Sequence, residues 1–119
     1  MGDVAEFLFD AAAIEKDMIV NRPIHAGTIY DRVVENDGRF FKVQIKCVNN
    51  PDRYGKINVS LRRSNNDSYS TERVDVFAVY FPPTDSWYLF KNIGKPSIYI
   101  NPKKHTHYLE NWKIFYEKI

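Results

Sequence analysis

Three polar residues stand where a half-buried sheet should carry apolar ones: Asp31 in "TIYDRVVE", and Gln44 and Lys46 in "RFFKVQIKCV". A carboxylate oxygen, an amide oxygen and nearby backbone carbonyls are hard ligands, the kind Mg²⁺ accepts while keeping several waters in an octahedral shell. A charged lysine is no ligand. Beside such a site, however, Lys46 can hold and polarise an attacking water or stabilise charge developing on a phosphate, which is the machinery of phosphodiester hydrolysis.

The chemistry depends on a hairpin. Side chains alternate along a strand, so Phe41, Val43, Ile45 and Cys47 point one way while Lys42, Gln44 and Lys46 point the other. "NDG" between the two apolar runs is a strong hairpin signal. Asp31 shares its face with Ile29 and Val33, and the hairpin brings it beside Gln44 and Lys46.

Asp3 followed by Glu6 reads as a capping box. Val4, Phe7, Leu8, Ala11 and Ile14 recur at helical spacing and predict a helix over about 4–16, its apolar stripe laid on a sheet. "MIVNRPI" reads as an edge strand that yields near Pro23. "KINVSL" reads as a further strand, "VDVFAVYF" and "SWYLFKNI" form a second hairpin around "PPTD", and "SIYIN" is a last strand, giving five or six in all. Between them "RRSNNDSYSTER" is a polar loop. The tail "THYLENWKIFYEKI" places Tyr108, Leu109, Trp112, Phe115 and Tyr116 at helical intervals and predicts a closing amphipathic helix.

At 119 residues the expectation is a single domain over 1–119, since domains run from roughly 50 to 250 residues. With 44% hydrophobic and 27% charged residues, wholesale disorder is excluded. The net charge of +2 fits a polyanionic partner without demanding one. Cys47 is the only cysteine, which excludes an intramolecular disulfide and a thiolate zinc site and favours a reducing, cytoplasmic setting. No stretch approaches the ~18 apolar residues of a membrane span.

Asp31, then Gln44-Ile45-Lys46 about a dozen residues on, resembles the PD-(D/E)XK nuclease superfamily. The segments "GDVAEFLFDAAA", "YDRVV", "FFKVQIK", "VSLRRS" and "VDVFAVYFPPTDSWYLF", in that order, are similar to its group I intron homing-endonuclease subgroup, over roughly residues 2 to 100. The resemblance implies an α/β fold with a mixed central β-sheet flanked by helices, a restriction-endonuclease-like core. It also implies Mg²⁺, or Mn²⁺ in its place, with Glu6 and Asp31 as metal ligands, Gln44 in or near the coordination shell and Lys46 serving the nucleophile. Two departures are visible: no proline precedes Asp31, and Gln44 stands where an acid is commoner.

The expected partner is double-stranded DNA. Arg53, Lys56, Arg62 and Arg63 are the candidate phosphate contacts, with Arg73 nearby. A homo-oligomer, dimer or tetramer, would present two active sites to opposite strands, and Trp112, Phe115 and Tyr116 of the tail are its candidate interface. Asp75 reads as structural. His105 and His107 make an HxH without a third ligand, a poor metal signature, and His25 has no defined partner. Two other readings use the same scaffold: a DNA-binding protein that has lost turnover, which the neutral Gln44 favours, and a Holliday junction resolvase.

Overall fold

The computed structural model describes residues 2–25, 27–61 and 70–116. Helix α1 (Gly2–Glu15) leads into β1 (Ile19–Asn21), β2 (Arg32–Asn36), β3 (Arg39–Cys47), β4 (Ile57–Ser60), β5 (Val76–Phe81), β6 (Ser86–Lys91) and β7 (Ser97–Ile100). Five strands make the main sheet in the order β1-β2-β3-β5-β6, and β4 with β7 forms a separate two-stranded ribbon. The main sheet is mixed: β3 and β5 run parallel, and its other pairs are antiparallel. As expected, β1 is an edge strand that stops before Pro23.

The hairpin forms at "NDG". Asn36 pairs with Arg39 across a two-residue loop in which Asp37 and Gly38 take φ of 54° and 76°. Two consecutive positive φ values define the primed turn whose twist matches the strands it joins, and glycine adopts the second without a Cβ clash. The alternation along β3 is also as expected, with Phe41, Val43 and Ile45 buried. They pack under α1 with Ala5, Phe9, Ala13, Val76, Ala78, Trp87, Leu89 and Trp112. The opposite sheet face carries Phe77, Val79, Phe81, Tyr88 and Phe90, which pack on Ile57, Val59 and Ile100 of the ribbon.

Two expectations about helices fail. The stripe Val4, Phe7, Leu8, Ala11 and Ile14 does not lie on the sheet but faces outward, with Phe7 58% exposed. The buried face is Ala5, Phe9 and Ala13. Small alanines let the helix approach closely, and Phe9 enters between Trp87 and Trp112, its ring centroid 5.5 Å from each. Glu6 and Asp10 reach Arg32 only in this rotation. Packing and charge thus override a helix that is apolar on both sides.

The tail is not an amphipathic α-helix. It folds as two short 3₁₀ turns, Thr106–Tyr108 and Trp112–Phe115, separated by Glu110 at φ 48°. Trp112, Ile114 and Phe115 are buried in the core under α1. Glu110 fixes this path: its carboxylate accepts the Trp87 backbone N–H at 2.7 Å and the Trp112 indole N–H at 2.8 Å. Trp112 and Phe115 therefore cannot form the oligomer interface proposed for them. They cap the sheet.

Candidate active site

Asp31 lies in the bend that enters β2, one residue short of the strand. It bulges out of the ladder by one residue: its N–H donates to the Val43 carbonyl at 2.8 Å although Val43 is already paired with Arg32, and its Oδ2 accepts the Ile45 N–H at 2.8 Å. The Asp31 carboxylate is thereby tied to the backbone between Gln44 and Lys46, whose side chains share one face of β3. Gln44 Oε1 is shut off from solvent and accepts no hydrogen bond among the described residues.

Burial raises the Asp31 carboxyl above its ordinary value of 3.8, the Ile45 N–H opposes that rise, and the Glu6 carboxylate adds to it. Arg32 and Lys46 pull it back less strongly. Lys46 is thus within electrostatic reach of Asp31. Asp31 and Glu6 line one cleft and repel each other electrostatically, and paired carboxylate oxygens are groups suited to a hard cation. Among the described residues, no three His, Cys, Asp or Glu side chains gather as a cage, so any ion here would keep water in its shell.

Glu6 does not complete a capping box, because the helix already begins at Gly2 and Asp3 lies inside its first turn. Its Oε1 accepts from Arg32 Nη1 at 3.0 Å. Asp10, four residues on and therefore on the same helical face, takes Arg32 Nε and Nη2 at 2.7 and 3.0 Å. Arg32 is 2% exposed and also donates to the Asp31 carbonyl at 2.8 Å. This guanidinium joins α1 to the site strand and fixes where Glu6 sits. Sequence reasoning missed Asp10 and the burial of Arg32, though two acids at i, i+4 beside a sheet were a readable signal.

An open, polar cleft of about 610 Å³ is lined by Asp3, Glu6, Arg22, His25, Tyr30 and Asp31 among others. Gln44 and Lys46 are outside its lining. His25 therefore has a place at the site that its sequence context did not indicate. A second polar recess, bordered by Lys42 and Arg73, shares Thr28 and Tyr30 with the cleft.

Arg53 and Lys56 lie instead on the turn before β4, stacked on Tyr54 and Tyr99 at 5.1 and 4.9 Å. Arg62, Arg63 and Tyr69 fall outside the described residues. Asp75 is structural, as expected: Oδ2 accepts the Lys42 N–H at 2.8 Å, and its own N–H donates to the Lys42 carbonyl at 2.8 Å. His105 Nδ1 accepts the Asn101 N–H at 2.9 Å, a structural use for that imidazole.

A five-stranded mixed sheet with a helix on one face is the core of a restriction-endonuclease-like fold. Among solved structures, the fold is similar to that of a bacterial homing endonuclease, I-Ssp6803I, with a TM-score of 0.81 and 21% sequence identity. The match covers 95% of this chain and 88% of that one. The family model for PD-(D/E)XK endonucleases matches residues 1–114, and the chain belongs to that family. No curated protein sequence matches.

Proposed function

We propose that this protein is a divalent-metal-dependent endonuclease that hydrolyses phosphodiester bonds in double-stranded DNA, with Mg²⁺ as its ion and Mn²⁺ as a substitute. The observation that carries the reading is the Asp31 carboxylate, beside Glu6 in one cleft and bonded to the Ile45 N–H next to Gln44, whose buried Oε1 accepts no hydrogen bond among the described residues. An unpaired buried acceptor costs about 1–3 kcal/mol, which a cation at that oxygen would offset. Glu6, Asp31 and Gln44 are the ligand set this favours.

The bound ion would lower the pKa of the attacking water and clamp a phosphate oxygen. The Lys46 ammonium orients that water and stabilises negative charge growing on the phosphate. The water oxygen bonds to phosphorus as the bond to the 3′ oxygen breaks, leaving a 5′-phosphate and a 3′-hydroxyl. Arg22 and His25 line the approach to Asp31 and would meet the phosphate backbone. Arg32 acts through others, as a positioning residue that holds Glu6 and the Asp31 main chain.

Supercoiled plasmid nicking in Mg²⁺ tests the reading. Lys46→Ala should lose about 10²- to 10³-fold in rate with its circular dichroism unchanged. Binding without cleavage in either Mg²⁺ or Mn²⁺ would select the turnover-deficient scaffold, which the neutral Gln44 and the Arg32-engaged Glu6 favour. Preference for four-way DNA would select a resolvase.

Homo-oligomerisation belongs to the same reading, since cutting both strands takes two sites. With Trp112 and Phe115 in the core and only Tyr116 of the expected interface residues exposed, the surface this reading favours for a second copy is the outward face of α1. That face borders the cleft through Phe7, whose ring lies 6.0 Å from the Arg22 guanidinium, so pairing there would set two clefts side by side.

A further inference from the structure

The β4–β7 ribbon has two unlike faces. Asn58 pairs with Tyr99 and Ser60 with Ser97, and all four are exposed, while Ile57, Val59 and Ile100 point inward to the sheet. The ribbon lies on the sheet face that carries Gln44 and Lys46, because Gln44 is in register with Phe77, one of its packing partners. We propose that the outer face of this ribbon enters the major groove of duplex DNA and reads it, with Asn58 and Tyr99 toward the bases and Arg53 and Lys56 on the phosphates. The inference rests on the nuclease reading for its choice of partner.

Shape, charge and rigidity argue for that partner. A major groove about 12 Å wide admits a two-stranded β-ribbon, and the outer residues here are polar and of modest size apart from Tyr99. Residues 51–60 and 93–104 carry Arg53, Lys56, Lys95, Lys103 and Lys104 against one acid, Asp52. Asp52 is engaged locally at the surface: its oxygens accept the Tyr54 N–H at 2.8 Å, the Lys56 N–H at 2.9 Å and Asn58 Nδ2 at 3.2 Å. Those bonds hold its carboxyl below the usual range, the Lys56 N–H most strongly. The net charge of these segments is basic.

The same bonds fix the turn. Tyr54 and Tyr99 remain 72% and 55% exposed, each beneath a cation, an arrangement that keeps both ring and charge presented to a polyanion with π-faced bases. Asn58 is exposed on the outer face and tethered through Nδ2 to Asp52. A carboxamide is the group that pairs bidentately with adenine in the major groove.

The test is selection of bound sequences from a random duplex library in EDTA, so that turnover plays no part, followed by affinity measurements on selected and scrambled duplexes. The wild type should enrich a motif, and Asn58→Ala with Tyr99→Phe should cut the ratio of selected to scrambled affinity by about tenfold or more. Arg53→Ala with Lys56→Ala should instead weaken all duplexes alike and flatten the slope of log affinity against log salt by about two. An unchanged motif and affinity ratio in the first pair, with circular dichroism intact, overturns the inference. Plasmid nicking by the wild type judges the nuclease reading separately.

Discussion

The carboxylate of Asp31 and the backbone N–H of Ile45 are joined at 2.8 Å across the first hairpin. The bond pins an acid that burial and Glu6 together make reluctant to ionise. A carboxyl whose folded pKa is raised binds its proton more tightly in the native state, so stability falls as pH climbs from the ordinary value of 3.8 through the raised one. Above that window the loss is complete. Asp31→Asn should therefore melt higher than wild type at pH 7 in EDTA, with the advantage shrinking below pH 4, while nicking is abolished. Thermal melts of the two proteins from pH 3 to pH 8 measure this, and a variant that melts lower at pH 7 contradicts it.

A divalent cation should reverse that cost. A ligand bound only by the native state stabilises it by about 2.7 kcal/mol at a hundred times its Kd. Ca²⁺ should thus raise the wild-type melting temperature and leave Asp31→Asn close to its EDTA value. Gln44→Leu tests the amide separately: it removes the orphaned oxygen, so it should keep or improve apo stability while weakening the Ca²⁺ shift.

The hairpin and the alternation along β3 were legible because each rests on local signals: "NDG" sets the turn and the period of two sets the faces. The bulge that ties Asp31 to Val43 and Ile45 was not, since a one-residue slip in pairing leaves no mark in the apolar pattern. The helix orientation was not, because both faces of α1 are apolar and the choice was made by distant partners, Trp87 and Trp112 for Phe9 and Arg32 for Glu6 and Asp10. The tail failed for a similar reason. Its helical spacing is real, but Glu110 bonds to Trp87 and bends the chain, so the aromatic residues reach the core from two 3₁₀ turns. The ribbon's separateness was likewise hidden, since "KINVSL" and "SIYIN" read as ordinary strands of one sheet.

Arg32 predicts an asymmetry in stability. Its guanidinium is nearly inaccessible, whereas the carboxylates of Glu6 and Asp10 keep 28% and 24% of their side-chain surface. Removing Asp10 takes the bidentate partner from a buried guanidinium and leaves it one bond to Glu6 and one to the Asp31 carbonyl; removing Arg32 leaves acids that water can reach. Asp10→Ala should cost about 3 kcal/mol and Arg32→Met clearly less, with Glu6→Gln smallest. Urea unfolding of the three variants ranks them, and a reversed order for Asp10 and Arg32 refutes the assignment.

The end of α1 offers a stabilising change. Asp17 adopts φ 62°, with its N–H bonded to the Ile14 carbonyl at 2.9 Å and that of Met18 to the Ala13 carbonyl at 3.1 Å. This is the closing motif that ordinarily uses glycine. Asp17→Gly relieves the Cβ crowding and should add about 0.5–1 kcal/mol, seen as a higher urea midpoint with unchanged slope. Asp17→Val should lose stability at the same position.

The outward face of α1 bears on assembly. Val4, Phe7, Leu8 and Ile14 form a contiguous apolar strip on a helix whose other side is already packed, and such a strip favours burial against a partner. If a second copy covers it, Phe7→Glu with Ile14→Glu should convert a dimer or tetramer to a species of monomer mass in light scattering, because two charges per copy would be desolvated at the contact. Plasmid nicking should then persist while the linear, double-cut product disappears, since single sites still act but no longer in pairs. Unchanged mass in the variant, or a wild type already monomeric at micromolar concentration, refutes this face as the contact.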